Sequence, residues 1–147
     1  MLTGKAAMLP RWAFGYIQSQ ERYESAVELV ETAKRFRQEE IPLDALVLDW
    51  MSWKGNLWGQ KTFDGERFPD PADMIQKLHE QKVHFMISIW PNMSELSDNY
   101  QEFLEKGLLL PASEIYDAFS EEGRRLYWEQ AERGLFRHGV DAWWCDS

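Results

Sequence analysis

The chain has 147 residues, of which 44% are hydrophobic and 28% charged, and its formal net charge is −9 at pH 7. These values are typical of one folded globular domain, here residues 1–147, and argue against a disordered chain. The negative charge excludes nucleic acid as an expected partner, because a phosphate backbone is bound by a basic face.

The termini and the single cysteine exclude several further classes. No run of 18 apolar residues occurs, and the first five residues lack the apolar core of a signal peptide, so we expect no membrane partner. The compartment stays open, and the cytoplasm is favoured over export. Cys145 cannot form an internal disulfide or a Cys-rich metal site, and we predict neither a metal nor a cofactor. Its apolar surroundings predict a buried structural thiol rather than a nucleophile.

Strands and helices alternate along the first half of the chain. The apolar run at residues 12–17 predicts the first strand. Ser25 and Glu28 have the spacing of a capping box, which predicts the start of a helix with helically spaced apolar residues. Residues 43–49 predict a second, buried strand that ends in an acid. The following loop, residues 51–69, is longer than a plain connection needs, and such loops are usually functional.

The second half continues the alternation. Asp70 is the predicted cap of the next helix, and residues 83–89 predict the third strand, which ends at Trp90. A short helix over residues 98–106 and a small extra strand over residues 108–111 follow. Ser120 is expected to cap a last helix that runs to Arg137. The final apolar run, residues 139–146, predicts a fourth strand.

The order of elements predicts a parallel sheet with helical crossovers. Two architectures then remain, a doubly wound sheet and part of a (β/α)8 barrel. Neither Gly-x-Gly-x-x-Gly nor Gly-x-x-x-x-Gly-Lys occurs, which favours the barrel. Since a complete barrel takes about 250 residues, we predict an α/β fold that is a partial TIM (β/α)8 barrel with about its first four strands. The residues expected on its inner face are Ala13, Leu46, Val47, Ile87 and Ala142.

Two kinds of residue are candidates for function. Asp146 ends the fourth strand, and the carboxyl ends of parallel strands carry the chemistry of such folds, so Asp146 is the first catalytic candidate. The alternative is an aspartate that begins a turn after an edge strand. Five of the eight tryptophans lie at predicted strand ends or in the loops after them, where aromatic faces could stack on a sugar. These are Trp50, Trp53, Trp58, Trp90 and Trp144.

Six segments together resemble family 31 of the glycoside hydrolases, the α-glucosidases, α-xylosidases and their relatives. They are PRWAFGY (10–16), IPLD (41–44), LDW (48–50), TFD (62–64), RFPDP (67–71) and GVDAWWCD (139–146). The resemblance implies that Asp146 is the nucleophile of a retaining mechanism, that Trp144 lines the glycone pocket and that Asp49 binds sugar hydroxyls. Trp50 and Trp90 are further candidates for substrate binding. The implied substrate is an α-linked oligosaccharide or glycoside, with glucose and xylose both open.

The resemblance also has limits. The family has an acidic residue a few positions after the nucleophile and a general acid/base on a later strand, and this sequence includes neither. The implied protein is therefore the N-terminal half of a catalytic barrel, which alone would be inactive and could form homo-oligomers through its open edges. The alternative hypothesis is a noncatalytic carbohydrate-binding or interaction fragment. The residues that follow Ser147 in the parent gene would distinguish the two.

Overall fold

The structure is a computed structural model that describes residues 4–146. Four parallel strands form one sheet in the order β1-β2-β3-β4. The strands are β1 (Ile17–Gln20), β2 (Ala45–Leu48), β3 (His84–Ile89) and β4 (Ala142–Cys145), and the helices are α1 (Ala26–Gln38), α2 (Pro71–Glu80), α3 (Asp98–Glu105) and α4 (Glu121–Gly134). Two short 3-10 helices cover Arg11–Phe14 and Phe136–His138.

The main core lies between the sheet and its helices. Helices α1, α2 and α4 all contribute buried apolar side chains to one cluster with β2 and β3. A doubly wound sheet has helices on both faces and a reversal in strand order. Here the strands follow one another in sequence and the helices of this cluster share one face. This arrangement confirms the predicted α/β fold and its partial-barrel architecture.

The assignment of residues to the inner face was partly wrong. Leu46 and Ile87 belong to the helix-facing cluster, where both are almost completely buried. Val47 and Ala142 are both register partners of Met86 and therefore share the opposite face. The error has a simple cause: every residue of β2 is buried, so hydrophobicity does not alternate along the strand and cannot show which side faces the helices.

The predicted first strand was also placed too early. Residues 12–14 lie in the 3-10 helix, so Ala13 is not in a strand, and β1 is the more polar segment from Ile17 to Gln20. The ring of Trp12 stacks on His84 with centroids 4.3 Å apart, at the amino end of β3. Trp12 therefore covers the amino end of the sheet from outside it, and this packing outweighs its preference for a strand.

The predicted helix starts are confirmed. The side chains of Ser25, Asp70 and Ser120 each accept a hydrogen bond from a backbone N–H of the first turn. The ends differ more, because α4 stops at Gly134 and is followed by a 3-10 turn instead of continuing to Arg137. The predicted strand at residues 108–111 is reduced to one isolated bridge to Tyr116.

Strand β4 lies at one edge of the sheet, and its last residues are open to solvent. Cys145 is exposed, so the prediction of a buried thiol is wrong for this structure. The apolar run was correctly read as a strand, but an edge position leaves part of that strand uncovered. Among the described residues, no helix has the length and apolar character needed to cross a membrane.

Candidate active site at the carboxyl edge of the sheet

The carboxylate of Asp49, directly after β2, is held through one of its two oxygens. The hydroxyl of Ser88 on β3 donates to Asp49 Oδ1 over 2.6 Å. The backbone N–H of Trp50 donates to the same oxygen over 2.9 Å and lies 3.3 Å from Ser88 Oγ. Both hydrogen bonds that the described residues make to this carboxylate therefore go to Oδ1. Asp49 Oδ2 accepts no hydrogen bond from the described residues, so it can accept one from a ligand.

Four tryptophans form a contiguous aromatic cluster beside Asp49. Trp53 and Trp90 are buried, with centroids 5.3 Å apart and nearly perpendicular planes. Trp58 contacts Trp90 at 5.3 Å and Trp50 at 6.2 Å, and 36% of its surface is exposed. The guanidinium of Arg22 lies 5.2 Å from the ring centroid of half-buried Trp50. Trp50 and Trp58 can therefore offer ring surface to a ligand, while Trp90 supports the cluster from within.

The loop that carries Trp53 and Trp58 is fastened by an ion pair. Arg67 donates to the backbone carbonyls of Met51 and Trp53 over 2.8 and 2.7 Å. Its Nε also donates to Asp64 Oδ2 over 3.1 Å. The backbone N–H of Glu66 and then the Arg67 guanidinium lower the pKa of Asp64, against the effect of burial. The long loop is thus a fixed part of the site.

A buried lysine anchors the same loop to the helices. The side chain of Lys61 is almost completely buried, with Nζ 4.2 Å from the ring centroid of Tyr127 and 3.4 Å from Gln130 Oε1. Its backbone N–H donates to Asn99 Oδ1 over 2.7 Å. Burial lowers the pKa of Lys61 to about 7, although Glu102 opposes the shift. Lys61 therefore joins the loop that carries Trp53 and Trp58 to α3 and α4. Its burial costs free energy whenever the amine is charged, because the charge is removed from water.

Strand β4 brings the remaining predicted residues to this edge. Trp144 is the register partner of Ser88, so its side chain lies in the same row as Ser88, and 43% of it is exposed. The backbone N–H of Asp146 donates to the carbonyl of Ile89 over 3.0 Å, which extends the strand pairing to this residue. Asp49, Trp144 and Asp146 therefore all lie at the carboxyl edge of the sheet.

Two surface cavities lie in different parts of the described chain. One of about 410 Å³ is bordered by Asp146 together with Ile89, Trp143 and Tyr127, at the carboxyl end of β4. A larger groove of about 610 Å³ runs between α1 and α2, away from the strand ends. The carboxyl edge is the better candidate for chemistry, because strand-end acids and aromatic side chains meet there.

Sequence reasoning missed two residues of the site. Ser88 is a lone hydroxyl within the apolar strand β3, and its alternation with buried Phe85, Ile87 and Ile89 could have placed it on the side away from the helices. Lys61 carries no local signal, since a lysine in a polar loop is ordinarily exposed.

Comparisons with known proteins decide the family. Residues 6–147 match the family model described as the glycosyl hydrolases family 31 TIM-barrel domain. The chain belongs to family 31 of the glycoside hydrolases. An α-xylosidase of Saccharolobus solfataricus is 38% identical over 146 residues, which are 99% of this chain and 20% of that protein. An α-glucosidase of the same organism is 30% identical, over 99% of this chain and 22% of its own length.

Solved structures of family 31 members have the same fold over this segment. An α-xylosidase from Xanthomonas citri superposes with a TM-score of 0.89 at 38% identity, and the match covers 98% of this chain and 17% of that one. A soil-metagenome α-xylosidase, solved with xylose, gives a TM-score of 0.88 at 32% identity over 98% of this chain and 23% of its own. The chain thus spans about a fifth of the length of these relatives. The family prediction is confirmed.

Proposed function

We propose that the chain forms the first four strands of the catalytic barrel of a retaining α-glycosidase, which removes terminal α-linked xylose or glucose from oligosaccharides or glycosides. Membership of family 31 supports this proposal, as do the α-xylosidase and α-glucosidase names of its relatives. The observation that carries it is the convergence of Asp49, Trp144 and Asp146 at the carboxyl edge of a parallel sheet.

Each of these residues has a proposed role. Asp146 attacks the anomeric carbon and forms the covalent glycosyl intermediate. Asp49 accepts hydrogen bonds from hydroxyls of the nonreducing sugar through Oδ2. Trp144 borders the glycone, and Trp50 supplies an aromatic surface supported by Trp90. Water then releases the sugar with retained configuration.

A retaining mechanism also needs a carboxyl that protonates the leaving oxygen, about 5–5.5 Å from the nucleophile. We propose that this acid/base comes from a part of the barrel that this chain does not include. Residues 1–147 alone are then inactive. Their sheet has open edges that favour self-association, whereas a closed barrel has none.

The test compares residues 1–147 with the complete protein, by which we mean a protein that carries this chain together with the rest of a barrel. Both are assayed on nitrophenyl α-xyloside and α-glucoside, and NMR identifies the first anomer released. We expect the complete protein to release the α-anomer, and the shorter chain to be inactive and to associate in size-exclusion chromatography. Release of the β-anomer would contradict retention. Sugar binding without turnover by the complete protein would favour a noncatalytic carbohydrate-binding role.

A further inference from the structure

We propose that Ser88 is a positioning residue that makes Asp49 a selective acceptor for sugar hydroxyls. This inference rests on the proposed role of Asp49 in binding the glycone. Ser88 lies in the middle of the sheet, on β3, and only 3% of it is exposed. Its hydroxyl makes the shorter of the two hydrogen bonds to Asp49 Oδ1, at 2.6 Å.

The geometry divides the two carboxylate oxygens between the protein and the ligand. Oδ1 accepts from the Ser88 hydroxyl and from the backbone N–H of Trp50. One donor lies on the neighbouring strand β3, and the other is the backbone N–H of the residue that follows Asp49, so together they fix both the rotation of the carboxylate and its distance from β3. A fixed carboxylate presents Oδ2 in one direction and loses little rotational freedom when a ligand binds.

The same hydrogen bonds determine the chemistry that Asp49 can recognise. Both oxygens of a carboxylate are acceptors, and Oδ1 already accepts from Ser88 and Trp50, so Oδ2 is the acceptor left for a ligand. The groups that fit Oδ2 are therefore donors, such as the hydroxyls of a neutral sugar. A carboxylate or a phosphate on the ligand would meet like charge, which argues against uronic acids and sugar phosphates at this position.

The row of side chains explains why a serine suits this position. Ser88 lies between Asp49, its hydrogen-bond partner, and Trp144, its register partner on β4. Because only 3% of Ser88 is exposed, its hydroxyl acts on a ligand through Asp49 and not by direct contact. The serine hydroxyl also supplies Oδ1 of half-buried Asp49 with one of its two donors.

A double-mutant cycle in the complete protein tests this role. Ser88→Ala should lower kcat/KM for nitrophenyl α-xyloside or α-glucoside by about tenfold, because a hydrogen bond to a charged group is lost. In an Asp49→Ala background the same substitution should change kcat/KM by less than about twofold, since Ser88 acts through Asp49. Ser88→Thr keeps the hydroxyl and should retain most of the activity.

Ser97→Ala is the matched control. Ser97 is also buried, but its hydroxyl caps α3 and donates to the carbonyl of Ser94. This variant should melt at a lower temperature and keep its kcat/KM when folded. The cycle is repeated on the affinity for D-xylose and D-glucose, measured by calorimetry, so that it does not depend on turnover alone.

The outcomes separate this inference from the proposed function. An active complete protein with unchanged kcat/KM in Ser88→Ala, or with an equal loss in the Asp49→Ala background, would overturn the role of Ser88 and leave the glycosidase intact. A complete protein that neither cleaves these glycosides nor binds these sugars would overturn both proposals. The role of Ser88 would be supported if kcat/KM falls in Ser88→Ala, if this loss depends on the presence of Asp49, and if Ser88→Thr and Ser97→Ala keep most of the activity.

Discussion

Asp49 and Asp146 each follow the last residue of a parallel strand, but their surroundings differ. Strand β2 has neighbours on both sides, and a side chain from β3 holds the carboxylate of Asp49. Strand β4 is an edge strand of this sheet, and Asp146 is exposed. The comparison teaches that a neighbouring strand can supply the side chain that holds a strand-end acid, as β3 does for Asp49. The Asp49 side of the proposed sugar site is therefore formed within this chain, whereas the surroundings of Asp146 in a complete barrel would also include the strand that pairs with β4.

The largest expected effect concerns the acid at the edge. In the complete protein, Asp146→Ala should lower kcat on the order of 10⁴-fold or more, because the proposed nucleophile is removed, and the fold should remain intact. Added azide should restore part of the turnover by occupying the vacated space. Activity assays with and without azide, together with circular dichroism, check this. Near-normal turnover would show that Asp146 is not the nucleophile.

The next effect concerns β3, the strand whose Ser88 holds the carboxylate of Asp49. Ile87, next to Ser88, is almost completely buried against the helices. Ile87→Ala should lower the free energy of unfolding by about 2–5 kcal/mol, through lost burial and the cavity left behind. Urea or thermal unfolding of the complete protein measures the difference. Val27→Ala, at an exposed site on α1, is the control, and an equal loss in both variants would contradict the packing.

A third effect concerns the loop anchored by Lys61. The pKa of Lys61 is about 7 in the folded chain and near the ordinary 10.5 in the unfolded chain. Between pH 7 and pH 10.5 the unfolded state therefore binds a proton on Lys61 that the folded state does not. Stability should then rise with pH from about 7 by up to about 1.4 kcal/mol per pH unit. Below pH 7 both states are protonated and the contribution is constant.

Lys61→Met should remove this rise and should be more stable than the parent at pH 7, because no charge is buried. The check is the urea midpoint at pH 7, 8 and 9 for the parent, for Lys61→Met and for a control variant. Lys34→Met, which changes a lysine on the surface of α1, should keep the slope of the parent. Parallel slopes for the parent and Lys61→Met would mean that Lys61 stays charged in the folded state.

The smallest expected effect concerns Asp49 itself. Asp49→Asn keeps the shape of the side chain and can still accept from Ser88, but it loses the charge that strengthens hydrogen bonds to sugar hydroxyls. We expect kcat/KM to fall by about tenfold or more, with little change in the pH optimum. Steady-state kinetics across pH test this. If kcat/KM stays the same, Asp49 only ends its strand and the contrast with Asp146 has no functional meaning.

Much of the fold was predictable because it depends on local patterns. The caps Ser25, Asp70 and Ser120 and the buried runs of β2 and β3 are visible in short windows of sequence. The candidate site was predictable as a set of strand-end residues, with Asp49 and Asp146 found by position. Ser88 and Lys61 were not found, because their roles depend on partners 39 and 69 residues away.

The sequence by itself determined the family, the parallel alternation of strands and helices, and the two acids that follow β2 and β4. The tertiary structure decided which face of the fully buried strand β2 meets the helices, as Leu46 shows. It also decided that Cys145 is exposed and that Ser88 holds Asp49. The physical reason is that strand burial on both faces erases the alternation of hydrophobicity, so side-chain direction and hydrogen-bond partners depend on neighbouring strands brought together by folding.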